Sequence, residues 1–156
     1  MPHLVQRHFD DDATSLLGVD RFAMTGDRFH LEVAKLLLER KQLSLTGLAT
    51  ALRLRGKRKT GLAGIIIDHG KLDPVVYYRA VAELYGLPFV DLAAEPPDPA
   101  LPTEGFAVWS MRPWREEDGR LLIATAAISK EHIEWADARF GENGYDFVIA
   151  VPDGER

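Results

Sequence analysis

The sequence contains no cysteine, so a disulfide framework, a thiolate metal site and a thiol nucleophile are all excluded, which fits a reducing compartment. Long apolar runs are missing too. The two best, residues 63–67 (interrupted by Gly64) and 121–128 (diluted by Thr125), fall far short of the roughly 20 residues that span a bilayer. Residues 1–7 carry no apolar stretch of the kind a signal peptide needs. What remains is an ordinary globular composition, 46% hydrophobic and 28% charged over 156 residues, enough for one domain or two small packed lobes.

Catalytic and metal signatures are equally sparse. Gly56-Lys57-Arg58-Lys59-Thr60-Gly61 is not a phosphate-binding Walker loop, because Ala51 stands where the first glycine belongs and Arg58 where Ser or Thr must follow the lysine. Asp10-Asp11-Asp12 with His8 has the composition of a cation site but no strand before it, and reads as an acidic tail. His3, His8, His30, His69 and His132 show no metal-binding spacing, and no serine sits in a nucleophile elbow. Asp68, His69 and Asp73 are explained by a helix end, an exposed imidazole and an N-cap. No catalytic residue, metal or cofactor is expected.

Charge is distributed in blocks. Residues 1–30 hold 3 basic and 5 acidic side chains, 31–60 hold 8 and 2, and 61–156 hold 8 and 17, for a net charge of −5. An acidic whole speaks against a general nucleic-acid binder. The locally basic stretch Arg53, Arg55, Lys57, Arg58, Lys59 is either a solvated loop between helices or a patch for phosphate, a partner or a membrane surface.

Five of the nine prolines lie between Pro88 and Pro102. Proline fixes φ and removes a donor, so this stretch divides the chain. Upstream, Val33, Leu36 and Leu37 recur at helical spacing, and Asp73-Pro74 before an apolar segment closed by Gly86 supplies an N-cap, a first-turn proline and a C-terminal glycine. Downstream, residues 106–111 and 120–126 flank a polar turn as a β-hairpin would, 129–140 form an amphipathic helix and 146–151 a strand. The expected fold is α+β. Residues 1–29 form a tail that is at most partly helical, 30–92 a helical lobe, 93–105 a proline-rich linker, 106–151 a ββαβ lobe and 152–156 a short tail.

A shift of 29 residues lays Ala34, Leu36, Leu37, Leu38, Leu43, Leu48, Ala51 and Leu52 on Ala63, Ile65, Ile66, Ile67, Leu72, Tyr77, Ala80 and Val81. Ser44 falls on Asp73, both N-caps, and Lys41 on Gly70 in the turn. The helical lobe therefore reads as a duplicated helix-turn-helix unit, with Leu52 and Val81 at equivalent core positions.

This apolar frame, closed by Tyr85-Gly86-Leu87-Pro88-Phe89-Val90-Asp91-Leu92 and followed by Met111-Arg112-Pro113-Trp114 and Asp118-Gly119-Arg120, resembles the MshEN domain. That domain forms the N-terminus of type II secretion and type IV pilus assembly ATPases and also precedes membrane glycosyltransferases of bacterial polysaccharide export. The resemblance implies a non-catalytic regulatory or adaptor domain of a larger enzyme, docking its catalytic part to a protein partner such as the cytoplasmic region of a membrane assembly. A cytoplasmic chain recruited to the inner membrane, with no span of its own, is the matching location. The alternative is a sensor for a cyclic dinucleotide or another phosphate ligand. Some family members bind cyclic di-GMP through a duplicated motif, whose arginine position falls here on Glu32 and Gly61, its glycine on Ala34 and Ala63, and its closing glutamine on Arg55 and Leu84. A carboxylate at the arginine position repels phosphate, and neither Glu32 nor Gly61 supplies the bidentate donor that guanine and phosphate recognition needs, so cyclic di-GMP is not expected as a ligand.

Trp109, Trp114 and Trp135 fall in the second lobe. Core packing accounts for them, and Trp109 and Trp114 are also candidate docking anchors, since tryptophan is enriched at interface hot spots. A strand over 106–111 would put Trp109 and Met111 on one face.

Overall fold

The computed structural model describes residues 27–55 and 62–152. Among them are helices α1 (Asp27–Glu39), α2 (Leu45–Arg55), α3 (Leu62–Gly70) and α4 (Pro74–Tyr85), then strands β1 (Met111–Glu117) and β2 (Arg120–Thr125), helix α5 (Lys130–Phe140) and strand β3 (Tyr145–Ile149). The architecture is α+β: a helical part followed by a ββαβ unit with strand order β1-β2-β3. β1 and β2 pair antiparallel, and β2 and β3 parallel with α5 as the crossover.

Helix ends explain the helical part. Asp73 accepts the amide of Val75, and Pro74 occupies the first turn of α4, where its missing N–H costs nothing. At the other end Gly86, with φ 75°, donates to the Glu83 carbonyl while Leu87 donates to Ala82, a Schellman closure. The same pair of bonds closes α1, Lys41 to Leu38 and Gln42 to Leu37, and α3, Lys71 to Asp68 and Leu72 to Ile67. Both of these closures place a lysine in the left-handed region, Lys41 at φ 61° and Lys71 at φ 53°.

The duplicated unit is thus visible, with one adjustment. The left-handed residues are Lys41 and Lys71 rather than Lys41 and Gly70, whereas the caps of the second helices remain Ser44, which accepts from Gly47, and Asp73. The first turn is one residue longer than the second, so the 29-residue shift aligns α2 with α4 and is one residue off for α1 and α3. Gly70 serves another purpose. A β-carbon there would lie 2.6 Å from Leu43 Cδ1, and one on Gly47 would lie 3.3 Å from Gly70 Cα, so the start of α2 crosses the end of α3 at glycine distance.

A single buried cluster joins both parts of the chain: Phe29, Val33 and Leu37 from α1, Ile65 and Ile66 from α3, Tyr77, Val81 and Tyr85 from α4, and Ile123, Ile128, Tyr145, Phe147 and Ile149 from the ββαβ unit. Tyr85 sits at the seam, its ring 4.9 Å from Phe29 and its hydroxyl accepting the Ile128 amide at 3.0 Å. Immediately afterwards Pro88–Val90 runs along β3, Ile149 donating to the Pro88 carbonyl and Val90 to the Ile149 carbonyl, both at 2.8 Å. The opposite face of the sheet carries a smaller cluster of Val90, Trp114, Ala124, Val148 and Ala150, the alternation a two-faced strand requires.

Three expectations need correcting. Residues 106–111 do not form a strand: Ala107–Trp109 is a 3-10 turn, closed by Ser110 in the left-handed region, and the hairpin begins at Met111. Pro113 is accommodated on edge strand β1 next to a bulge between Pro113 and Arg115. The proline-rich stretch covers the sheet, with Glu95 O accepting Trp114 Nε1 at 2.9 Å and Asp98 N donating to Trp114 O at 2.8 Å. Leu52 is 43% exposed while Val81 is fully buried, because α2 turns Ala51 inward and packs chiefly on α3.

Two outcomes are expected from these placements. Val81→Asp unfolds the protein, burying an unpaired carboxylate at a cost of several kcal/mol, or about 3 or more, whereas Leu52→Asp melts near the parent temperature. Lys71→Gly relieves a left-handed side chain and raises stability by about 0.5–1 kcal/mol in urea titration; a loss of stability would show that the lysine stem contributes more than its backbone costs.

Candidate functional site

Where the strands end, the sheet opens into a cleft of about 610 Å³, within the size range of small-ligand pockets. Its floor is the C-terminal end of the parallel pair, Ala124, Thr125 and Ala126 of β2 and its exit with Ala150, Val151 and Pro152 after β3. One wall is the proline segment, Pro97, Asp98 and Pro99; the other is Phe106 and Met111, with Arg112 beside them. The crevice beyond the carboxyl ends of parallel strands is where open α/β sheets habitually hold ligands.

Local chemistry fixes this geometry. Thr125 is buried and its hydroxyl both donates to Ala127 O at 2.8 Å and accepts from Ala127 N, turning the chain out of β2 toward α5. Ser129 then caps α5, accepting from His132 N, while His132 Nδ1 accepts from Ser129 N. His132 Nε2 lies 3.0 Å from Trp109 O, which ties the 3-10 turn to the helix. Proline rings on the other wall present rigid apolar surface and no donor.

The aromatic side chains are mostly structural. Trp114 is buried at 6% exposure, bonded through Nε1 and covered by Arg115 4.5 Å above its ring, so it packs the second face of the sheet. Trp109 is half-buried, edge-on to His132 and 6.4 Å from Trp135. Trp135 packs against Phe106 and Phe140 with Arg139 over it. Beside Trp109, Val108 stands 82% exposed.

Of the basic stretch, Arg53 lies exposed on α2 and Arg55 is the last residue of that helix. Lys57, Arg58 and Lys59 lie outside the described residues, as do Gly61 and the acidic triplet at 10–12. Glu32 is exposed on α1 and Leu84 half-buried on α4. His69 lies in the last turn of α3, half-buried rather than exposed, with Nε2 buried and without a hydrogen-bond partner, and Asp73 is engaged as a cap. The described residues contain no group of three or more His, Asp or Glu side chains able to hold a metal. No described helix is long and apolar enough to cross a membrane.

Ion pairing outside the cleft is peripheral. Arg40 makes a two-pronged contact to Glu83 at 2.7 and 2.5 Å, linking α1 to α4, and that hydrogen bonding holds the Glu83 carboxyl below its ordinary range. Arg120 pairs with Asp146 across β2 and β3. Tyr145 donates to Asp137 at 2.8 Å. Burial, then the Asp137 carboxylate, pushes its phenol well above the usual tyrosine value, so it remains a donor at any ordinary pH.

The cleft was not foreseen from the sequence. Its signal is the pairing of a proline cluster with a strand that ends in small residues, Ala124-Thr125-Ala126-Ala127, but nothing local says that the two meet.

Residues 85–153 match the family model of the MshEN domain. Among solved structures, the chain resembles MshE determined with cyclic di-GMP, at 24% identity and a TM-score of 0.61 over 76% of this chain and 88% of that one. It also resembles the N-terminal domain of XpsE, at 24% identity and a TM-score of 0.50 over 79% and 87%. No curated protein matches the chain. The structural likeness shows a shared fold that reaches into the helical part. It also overturns the expectation set against cyclic di-GMP, since a protein of this fold was solved with that nucleotide. The missing motif side chains at Glu32, Gly61, Arg55 and Leu84 are therefore no ground for excluding it.

Thr125→Val tests the cleft floor. The substitution keeps the shape and strips two hydrogen bonds from Ala127, so a loss of about 1–3 kcal/mol is expected in chemical denaturation; an unchanged midpoint would mean that the turn is held by packing alone.

Proposed function

Because residues 85–153 match the family model of the MshEN domain in a chain that shares the fold of the XpsE N-terminal domain, we propose that the protein is a non-catalytic regulatory or adaptor domain. In this reading it serves a larger secretion or pilus assembly ATPase, or a polysaccharide glycosyltransferase, by docking the catalytic part to a protein partner. The family match is the observation that carries it. The architecture supports the same role: the sheet and helices share one core, so a load on one part is transmitted to the other rather than absorbed in a loose joint.

A second reading rests on a separate observation, the MshE structure with cyclic di-GMP. Here the domain receives a cyclic dinucleotide, and the cations Arg53, Arg55, Lys57, Arg58 and Lys59 offer the charge that its phosphates need. Arginine among them supplies the planar, bidentate donors that such phosphates and guanine edges accept.

Deleting residues 27–152 from the parent protein is expected to leave turnover by its catalytic part intact while abolishing assembly or export in cells; turnover lost with the deletion would overturn the adaptor role. The nucleotide reading is tested by calorimetry and melting of the 156-residue chain with cyclic di-GMP. Saturable binding should stabilise the protein by about 2.7 kcal/mol at a hundredfold excess over Kd. No heat and no shift at micromolar nucleotide would remove that reading and leave docking standing.

A further inference from the structure

Helix α2 carries apolar side chains on the side facing away from the protein. Leu45 is 72% and Leu52 43% exposed, two of the four large hydrophobic residues that stand out among those described. With Ala49, also exposed, they recur at i, i+4 and i+7 and so share one face. Arg53 lies at the edge of that face, exposed. The inward side is already satisfied: Ala51 is buried, Leu48 packs against the core, and Gly47 meets the end of α3. The 11-residue helix, LTGLATALRLR, contains no acidic residue at all, although the chain as a whole is acidic. An outward helix face is ordinarily its polar one.

We propose that this ridge is a docking surface for an anionic lipid membrane, with Leu45, Ala49 and Leu52 entering the headgroup boundary and Arg53 meeting lipid phosphates. Charge argues for the occupant. Arg53 and Arg55 close α2, and the sequence continues with Lys57, Arg58 and Lys59, the combination of leucine and clustered cations that holds interfacial helices on anionic leaflets. A second copy of the chain is disfavoured on the same ground, because pairing two α2 helices brings cations together with no carboxylate on either. Area argues against a large protein interface on this face alone, since three partly exposed side chains fall well below the roughly 800 Å² per partner that a stable complex buries. A membrane asks for no complementary groove and accepts a convex ridge.

The absence of cysteine makes the test direct. In the full chain, an environment-sensitive fluorophore on Ala49→Cys should shift to the blue with phosphatidylglycerol-containing vesicles and not with phosphatidylcholine vesicles, while the same label on Glu134→Cys, exposed on α5, should not respond. Binding measured by vesicle sedimentation should weaken at least about tenfold in Leu45→Gln/Leu52→Gln, which keeps every charge, and should fall with salt and with Arg53→Gln. The far-UV spectrum and melting temperature should stay at the parent values, since both leucines are exposed. Failure to bind anionic vesicles overturns the proposal, as does binding that ignores the leucine pair. Capture of an acidic partner helix by a ridge that leaves vesicles untouched would assign the face to a protein instead.

Discussion

The hydroxyl of Tyr85 accepts the amide of Ile128, a buried donor 43 residues away. A buried N–H without a partner costs about 1–3 kcal/mol, and this one lies where the chain leaves β2 and prepares to enter α5. The last residue of the helical part therefore satisfies the backbone of the sheet part at its critical turn. Phe29 packs against the same ring from α1 at 4.9 Å, so α1 is tied to the end of α4 at this point. Three residues later Pro88 and Val90 exchange bonds with Ile149. Within six residues, a helix ends in a left-handed glycine, reverses, and becomes the neighbour of the outermost strand. The cleft depends on that stitch, because Ala150 to Pro152 form its floor only if Ile149 is held in register.

Features that depend on near neighbours were legible in the sequence. The Asp73-Pro74 start and Gly86 stop of α4 and the polar hairpin turn all rest on side chains acting within four residues of themselves. The duplication was legible because caps and apolar positions repeat together, and it went astray by one residue where lysine replaces glycine in a Schellman closure. Lysine at a left-handed position is a cost that local rules do not anticipate. Leu52 was misplaced for a related reason: apolar periodicity locates a face but does not say what covers it, and α2 has apolar residues on more than one side. The 106–111 segment has a strand composition, yet Phe106 and Trp109 are drawn to α5 by Trp135, Phe140 and His132. Tertiary attraction overrode propensity there.

Ligand specificity was the least legible property. A motif records which side chains one set of proteins uses on a shared frame, and a departure such as Glu32 or Gly61 removes that solution only. The frame itself persists at 24% identity to a protein solved with cyclic di-GMP, because apolar volume tolerates exchange among Leu, Ile, Val and Tyr far better than a hydrogen-bonded site tolerates loss of a donor. Fold and ligand therefore diverge at different rates, and only the first can be followed by its hydrophobic skeleton.

The uneven charge acquires a structural meaning once the elements are placed. Acidic residues dominate from position 61 onward, and several that are described are engaged locally: Asp73 and Asp91 in turns, Asp137 with Tyr145, Asp146 with Arg120. The cations of 31–60 divide differently. Arg40 is bound to Glu83, while Arg53 faces solvent on a helix that contains no carboxylate. Like charges close in sequence repel one another, and on α2 the described cation Arg53 stands on the same exposed side as Leu45 and Leu52. On the proposed membrane contact an external anionic surface would supply the missing counter-charge, and the acidic sheet part and the basic helical part would then differ in task as they differ in charge.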